Sequence, residues 1–491
     1  MKKSGPSFAG RALLAVVLLI GFYALALAIV GVLLYILYAM IVYGNRIDGR
    51  AVIGILLVSG TILWSLVPRR DKFVAPGPRI DPDKEPEFFA TVQEIADATQ
   101  QSMPVEIYVD PQINAWVANR GGVMGIGSRR IMGIGLPLLQ TLTVDQFRAV
   151  LAHEFGHYHG GDTNLGPWIY QTRSVIGRTI QNLAGQGSAM HKPFLWYGNM
   201  YLRVTHAISR QQEYAADALA ATVVGARHLI DGLKKVNASA MAFDAYWNRS
   251  FGPVLNSGHR PPLVSGFATF LSAGHIQEAM EKVTDEMMEA TNHSPYDTHP
   301  PLPMRIDAVA DLPQGDKNDH DPLAITLLND VVSLEREFFA MIANANNIAP
   351  FKEIDWHETG SAVYLPLWSN IADANQQPIS GIRFRDIPSL VENEAEVQRR
   401  FPSASIDESK GNASGLIGIA ICVILNKKGW TLQTRLHDDA YFTKEDQEIH
   451  PFSLLGNLAQ GTITAENWID LCEQNDLADV DLSESHSNKN G

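Results

Sequence analysis

The sequence predicts a mainly helical α+β protein with an N-terminal transmembrane helical hairpin. Three observations lead to this fold class: two long apolar segments open the chain, apolar residues recur at helical spacing through its middle, and short glycine-rich strand patterns precede one strong helix. In the C-terminal third, apolar residues 416–425 are followed by a turn signal at residues 426–429 and then by alternating apolar positions. This pattern indicates a β-hairpin within a second α+β domain.

The two N-terminal apolar segments are long enough to cross a lipid bilayer. Residues 12–43 exceed the ~20 residues that a spanning helix needs, and residues 51–67 fall within the ~17–25 residue range. A cleavable signal peptide has an apolar region of only about 7–15 residues, so we expect the first helix to be retained. A buried soluble helix or an interfacial segment is the alternative for the second one.

The charges that flank the hairpin predict its orientation. Basic residues precede the first helix and follow the second, whereas the connecting loop at residues 44–50 holds two arginines. The positive-inside rule then places both outer flanks in the cytoplasm, together with the large remainder of the chain. We therefore expect a protein of the cell (inner) membrane with two spans.

Length and composition bound the domain organisation and the partners. The 491 residues suffice for two or three domains. We expect the tail and hairpin at residues 1–72, a central domain at 73–320, an accessory domain at 321–478 and a polar, disordered tail at 479–491. A net charge of −14 argues against nucleic acid as a partner, and two cysteines provide no disulfide framework.

Residues 153–157 read H-E-F-G-H within a segment that should be helical. Thr143 and Gln146 have the form of a capping box before it, and residues 160–161 are glycines that end it. Two histidines four residues apart point the same way, so both imidazoles can bind one Zn²⁺ while Glu154 lies beside the metal as a general base. An ordinary amphipathic helix with two incidental histidines is the alternative.

A third metal ligand must come from another helix. The template with a third histidine shortly after the motif fails, because Thr163 stands at that position. Residues 199–224 contain no Gly or Pro and read as one helix, on which Glu213 and Asp217 share a face. Glu213 could complete a His₂Glu site, and Asp217 could orient a ligand histidine. Solvated acids on a surface helix are an equally acceptable interpretation.

Four segments in a fixed order resemble one family. They read I-N-A-W-V-A at residues 113–118, H-E-F-G-H at 153–157, S-R-Q-Q-E-Y-A-A-D at 209–217 and T-H-P-P-L-P-M-R-I at 298–306. Together they resemble the membrane-anchored gluzincin metallopeptidases, which include the HtpX heat-shock proteases and the CAAX prenyl endopeptidases. The resemblance extends over residues 75–312 and leaves the C-terminal third uncovered.

The resemblance implies a mainly helical, zincin-type metalloprotease domain with a small sheet and one Zn²⁺ per chain. It implies that His153, His157 and Glu213 bind the metal. It further implies that Glu154 is the general base and that Asp217 supports a ligand histidine from behind.

Further positions acquire roles near the substrate from the same resemblance. His299 is expected to approach the substrate and stabilise the oxyanion. Arg305 is expected to hold the loop that carries His299 by pairing with a carboxylate, with a solvated surface arginine as the alternative. Asn114 and Ala115 are expected to belong to a strand edge along which a substrate peptide binds.

The function we expect is that of a membrane-anchored zinc-dependent endopeptidase in membrane protein quality control, acting on proteins or peptides, membrane proteins above all. A CAAX-type processing endopeptidase and a non-enzymatic membrane adaptor or chaperone are the alternatives. Some relatives have further spanning helices between the zinc motif and the glutamate helix. Residues 168–182 and 194–208 are too polar to span, so we expect them to cover the cleft or touch the membrane. The sequence does not predict the oligomeric state.

Overall fold

The computed structural model describes residues 8–44, 48–67, 73–121, 127–158, 166–289, 299–401, 406–434, 436 and 440–485. The helices are α1 Phe8–Tyr43, α2 Gly49–Leu66, α3 Pro86–Ala98, α4 Leu136–Thr141, α5 Val144–Gly156, α6 Gly166–Gly185, α7 His191–Val223, α8 Ala226–Tyr246, α9 Gly252–Asn256, α10 Leu263–Leu271, α11 Gly274–Glu289, α12 Leu302–Val309, α13 Val331–Ala345, α14 Leu365–Ala374, α15 Gln376–Ile379, α16 Ile387–Glu392, α17 Glu394–Arg400, α18 Ile406–Lys427, α19 Pro451–Ala459 and α20 Ala465–Gln474. The strands are β1 Glu106–Asp110, β2 Ala115–Arg120, β3 Arg129–Gly135, β4 His259–Arg260, β5 Lys352–Glu353, β6 Thr431–Gln433, β7 Tyr441–Lys444 and β8 Gln447–Ile449. The protein is therefore mostly helical with small sheets, as the sequence predicts.

The chain divides into two compact units. The first consists of Met1–Phe243 with Glu278–Met341, and the second of Asp244–Gln277 with Ile342–Gly491. The sequence assigned residues 244–277 to the central domain, whereas the structure groups them with the C-terminal part of the chain. One reason is that β4 pairs in parallel with β5, a contact between distant segments that leaves no local signal in the sequence.

Helices α1 and α2 form the expected N-terminal pair. Val16–Tyr43 and Gly49–Leu66 are both long and apolar enough to cross a membrane. Asp48 caps α2 by accepting a hydrogen bond from the Arg50 amide at 2.9 Å. Many side chains on both helices are exposed in the bare protein, as lipid-facing residues should be.

Helices α6 and α7 pack against this apolar pair. Buried residues from all four helices form one cluster: Phe22, Ala26, Val30, Ile62, Leu66, Val175, Ile176, Leu183, Phe194, Tyr197 and Tyr201. The Tyr197 hydroxyl donates to the Leu18 carbonyl at 2.6 Å, and the Asn182 amide donates to the Ser65 hydroxyl at 3.0 Å. The two helices that can span a membrane therefore pack directly against residues 168–182 and 194–208, which are too polar to span it.

A three-stranded sheet borders the first unit's cleft. Its strand order is β1-β3-β2, with β1 parallel and β2 antiparallel to β3. Gly133 leaves space for the Trp116 indole, since a Cβ at this glycine would lie only 2.3 Å from the ring. Among the described strands, β2 forms one edge of this sheet.

Helix α5 begins with the predicted capping box. The Thr143 hydroxyl accepts the Gln146 amide, and the Gln146 side chain accepts the Thr143 amide. Phe147 is fully buried and its ring stacks on Phe88 of α3 at 5.9 Å between centroids. The described part of the helix ends at Gly156, and the glycines at residues 160–161 lie outside the described residues.

The second unit has its own core around α18. Residues 416–425 are expected from the sequence to form the first, buried strand of a β-hairpin. They lie instead in this helix, which spans 22 residues. A short, uniformly apolar run does not distinguish a buried strand from a buried helix by periodicity, and most of this one is buried. Strands β6, β7 and β8 form a separate antiparallel sheet after it.

Residues 252–266 of the second unit contain α9, β4 and the start of α10. One further expectation for this unit was wrong. Residues 479–485, expected in a disordered tail, are ordered, and Val480 and Leu482 are buried in the core. Apolar residues between acidic ones made the difference, because they anchor an otherwise polar segment. The remainder of that tail lies outside the described residues.

Candidate metal centre

Two histidines on α5 meet one glutamate on α7. His153 Nε2 lies 3.7 Å from Glu213 Oε2, and His157 Nε2 lies 3.6 Å from Glu213 Oε1. Ligand atoms at the corners of a tetrahedron with Zn–N bonds of 2.0–2.1 Å would be about 3.3–3.4 Å apart. The two separations between an imidazole nitrogen and a Glu213 oxygen are thus within a few tenths of an ångström of this value.

The chemistry of these donors also fits a metal. Glu213 Oε2 is buried and accepts no hydrogen bond from any residue that the structure describes. Burial, reinforced by nearby His153, lowers the pKa of His157 to about 4, so its imidazole is neutral and keeps a free lone pair at physiological pH. Burial opposes ionisation of Glu213, but the hydrogen bond from His299 and the adjacent imidazoles hold its pKa below the usual value. A neutral imidazole beside a carboxylate is the ligand set that Zn²⁺ prefers.

Glu154 lies beside the two histidines. Ligand atoms of His153, Glu154 and His157 all lie within 4.8 Å of one another. Burial raises the pKa of Glu154 to about 7, with His153 partly offsetting this shift. A carboxyl group that titrates near neutrality can both accept and return a proton, which suits a general base.

Behind His153, a buried ionic pair fixes the ring. His153 Nδ1 lies 2.9 Å from Asp217 Oδ1, which directs Nε2 toward Glu213. Arg305 donates to both oxygens of Asp217, at 2.8 and 2.7 Å. Burial disfavours the ionised form of Asp217, but the hydrogen bonds from Arg305 and His153 outweigh it and lower the pKa. The structure thus pairs Arg305 with Asp217, and the Asp217 carboxylate also contacts the His153 ring.

His299 reaches the centre from the other side. Its Nδ1 lies 3.0 Å from Glu213 Oε1, while 64% of its side chain remains exposed. The hydrogen bond to Glu213 raises the pKa of His299, against the opposing effect of burial. The expected approach to the centre is present, and its contact is with Glu213.

A cleft of about 310 Å³ opens beside these residues. Asn114 and Ala115 line it, together with His153, Glu154, His299 and Arg305. The opposite wall comes from α8, and sequence reasoning missed it. The residues concerned are Leu229, Leu233, Val236 and Asn237. Apolar residues at helical spacing look like any core-facing helix, so no signal marked them as part of a site.

Comparisons of the sequence with known proteins indicate the family. The sequence profile of Peptidase family M48 matches residues 82–312. Protease HtpX of Pseudoalteromonas atlantica is 26% identical over 246 residues, which cover 46% of this chain and 71% of that protein. Protease HtpX of Alkalilimnicola ehrlichii is 26% identical over 296 residues, covering 51% of this chain and 95% of that protein. Protease HtpX of Vibrio cholerae is 30% identical over 203 residues, covering 35% and 67% respectively. No solved structure matches the chain.

The matched region contains the sheet, the cleft and all nine residues that the sequence singled out. The resemblance drawn from four short segments is therefore confirmed. Two apolar helices that can cross a membrane precede this region, and M48 metallopeptidases in general depend on zinc. This chain is a membrane-associated, HtpX-like metalloprotease and belongs to peptidase family M48.

Proposed function

We propose that this protein is a zinc-dependent endopeptidase of the inner membrane, with its catalytic unit in the cytoplasm, that cleaves misfolded or surplus membrane proteins. The observation that carries the proposal is the convergence of His153, His157 and Glu213 with Glu154 beside an open cleft. Structural zinc sites usually have four protein ligands, whereas three ligands and an adjacent acid suit hydrolysis.

The residues divide the chemistry among them. The two imidazoles and the Glu213 carboxylate would hold Zn²⁺, which when bound would supply Lewis acidity toward water and toward the scissile carbonyl. Glu154 takes the proton of the attacking water and passes it to the leaving amine. His299, whose pKa is raised, presents a partly exposed N–H-bearing ring to the cleft and favours the negatively charged transition state.

A polypeptide substrate fits the edge of the sheet. Asn114 precedes β2, and Ala115 begins it, at the point where the strand meets the cleft. An extended peptide that adds to this edge would pass the two histidines with its backbone held by main-chain hydrogen bonds. Such recognition reads backbone more than side chains, which supports action on many unfolded sequences.

The membrane location of the substrates is supported by the packing of α6 and α7 on the apolar hairpin. Helix α7 continues without a break from that contact to Glu213. Basic residues flank the outer ends of α1 and α2, so the positive-inside rule favours a cytoplasmic catalytic unit. A protease held this close to the bilayer meets the loops and ends of membrane proteins first.

The decisive experiment compares purified wild type with Glu154→Gln and with the matched control Glu278→Gln, an exposed position on α11. Metal content and cleavage of unfolded casein are measured for each. We expect zinc in all three proteins and cleavage by wild type and the control only, with a loss of about 10²–10⁴-fold in Glu154→Gln.

Other outcomes separate the alternatives. Equal cleavage by all three proteins would exclude Glu154 as the base. Zinc in all three without cleavage would favour the adaptor role over the enzyme. Folded wild type that binds no zinc would remove the basis of the proposal.

A further inference from the structure

The exposed edge of β2 has a limited set of free backbone groups. Gly135 donates its amide to the Asn114 carbonyl at 2.8 Å, so a hydrogen bond joins the two chain segments just before β2 begins, while the Asn114 amide donates to the Gln112 carbonyl. The register of β2 and β3 pairs Trp116 with Gly133. Because the pattern alternates, the backbone groups of Ala115, Val117 and Asn119 point away from β3, toward the free edge.

The side chain of Tyr158 occupies part of that edge. Its hydroxyl donates to the Val117 carbonyl at 2.7 Å and receives the backbone amide of Asn119. One hydroxyl thus satisfies a carbonyl and an amide that a neighbouring strand would otherwise engage. Among the described residues, the groups left for an incoming strand before it reaches this hydroxyl are the amide and carbonyl of Ala115 and the amide of Val117, whereas the Asn119 carbonyl lies beyond the hydroxyl.

The position of this tyrosine is firmly held. The Arg130 guanidinium lies over its ring, 4.5 Å from the centroid, and itself donates to the Ser102 carbonyl at 3.2 Å. Tyr158 directly follows His157 in the sequence, which couples the blocked end of the edge to the metal centre.

We propose that Tyr158 ends the substrate-binding edge, so that a bound peptide pairs with Ala115 and the Val117 amide and goes no further along β2. The proposal rests on the proposed function, because it assigns the edge to a substrate peptide. Among the described residues, Ala115 then provides the one carbonyl on the near side of Tyr158 that can accept a hydrogen bond from the substrate. The point at which the hydrogen bonds between β2 and the peptide end then determines which part of a substrate is bound.

A scan of ester substitutions in a peptide tests this assignment. A fluorescein-labelled octapeptide of casein is prepared with each backbone N–H replaced in turn by an ester oxygen. Its affinity is measured by fluorescence anisotropy for zinc-loaded Glu154→Gln, which holds the peptide uncut, and for the same protein carrying Tyr158→Phe. The Phe ring can remain beneath Arg130, and zinc content with near-ultraviolet circular dichroism verifies the fold.

In the protein that retains Tyr158, we expect the ester substitution to weaken peptide binding at one position, by about three- to tenfold for one lost hydrogen bond. In the Tyr158→Phe background a second sensitive position should appear two residues away, because the Val117 carbonyl becomes free. Tyr108→Phe is the matched control: its hydroxyl bonds to Glu106 Oε2 at 2.8 Å on β1, across the sheet from β2. This control should leave the scan unchanged.

Identical scans with and without Tyr158 would overturn the proposal, as would two sensitive positions in its presence. Absence of peptide binding in both backgrounds would overturn it as well, since the edge would then hold no substrate. Cleavage of casein by wild type is read separately. The proposed function can therefore survive when the assignment of Tyr158 fails.

Discussion

Asp217 is the residue on which the orientation of His153 depends. It is fully buried, accepts from His153 Nδ1 and is held by two hydrogen bonds from Arg305. A carboxylate in this position fixes the tautomer of a ligand imidazole and makes the other ring nitrogen a better donor to a metal. The pair stands outside the ligand set but determines its geometry.

Replacing Asp217 with Asn should lower zinc affinity by about 10–100-fold, because the neutral amide supports the imidazole less strongly. Competition with a chromophoric chelator measures the change. Asp307→Asn, at an exposed position on the same helix as Arg305, is the control and should bind zinc normally. An unaltered affinity in Asp217→Asn would show that the buried pair serves the fold alone.

Glu154 should make the metal-free protein less stable at higher pH. Its pKa is about 7 in the folded protein, above the ordinary value of 4.5, so the folded state binds more protons between these pH values. Stability therefore falls as pH rises through this window. The side chain is partly exposed and lines the open cleft, so solvent screening limits the loss to at most about 3 kcal/mol.

Glu154→Gln lacks this carboxyl, so its advantage in free energy of unfolding over wild type should grow between pH 4.5 and 8. Denaturant unfolding of both metal-free proteins in detergent gives the difference at each pH. Other titrating groups are common to both proteins and cancel. A constant difference across this range would mean that the folded pKa is ordinary.

Among the helices, α5 and α7 approach each other most closely at a glycine. A Cβ added to Gly156 would lie 2.8 Å from the Cα of Ala216, so the two backbones would have to separate. Both positions stand within the motifs that carry the metal ligands. The small residues between the ligands are therefore part of what sets the distance between His157 and Glu213.

Gly156→Ala should destabilise the first unit by about 1–3 kcal/mol through overpacking, and it should weaken zinc binding without touching the metal. Gly232→Ala is the control, since its added Cβ would meet Gln146 of α5 at an ordinary distance of 3.5 Å. Unfolding and chelator competition are measured for both variants. Equal zinc affinity in the two variants would show that the spacing of α5 and α7 does not affect metal binding.

Elements with local signals could be predicted from the sequence. The capping box at Thr143 is a contact within four residues, and the common face of Glu213 and Asp217 follows from helical geometry. The pairing of Asp217 with Arg305 joins residues far apart in the chain, so its geometry required the fold. The strand predicted in α18 failed for a related reason, because its uniform burial removed the periodicity that distinguishes helix from strand.

Tyr158 illustrates the limit of a motif. It stands next to His157 in the sequence, yet nothing in the pattern indicates that its hydroxyl reaches β2. The small sheet itself was expected, but which of its backbone groups remain free depends on register. Local patterns therefore located the candidate centre, while the shape of the cleft around it depended on contacts between distant segments.

At the scale of the whole molecule, the hairpin formed by α6 and α7 packs alongside the apolar helices α1 and α2. The Gln186 side chain donates to the Thr61 hydroxyl at 2.8 Å, and Thr61 lies five residues before the end of α2. With a rise of 1.5 Å per residue, Thr61 lies about 8 Å from the C-terminal end of α2. The tip of the α6–α7 hairpin therefore extends about 8 Å alongside α2, measured from that end. We expect the tip to be covered by lipid.

Cysteine labelling measures this depth. Cys422 and Cys472 have no exposed surface and burial raises the pKa of both thiols, so the native protein should not react with a water-soluble maleimide. Ala184→Cys, exposed in the bare protein, should stay unlabelled in membranes and react in denaturant. Asn318→Cys, an exposed position of the first unit, should react in both. Rapid labelling of Ala184→Cys in membranes would place the tip in water.

One unbroken helix connects this lipid level to the metal centre. From Tyr197, which is bonded to α1, to Glu213 the helix advances about 24 Å. A tilt of five degrees about its lower end would displace the carboxylate by roughly 2 Å, as much as a whole zinc–oxygen bond. Any change in the tilt of α7 would therefore change the distances from Glu213 to His153 and His157, so one helix joins the packing against the apolar pair to the geometry of the candidate centre.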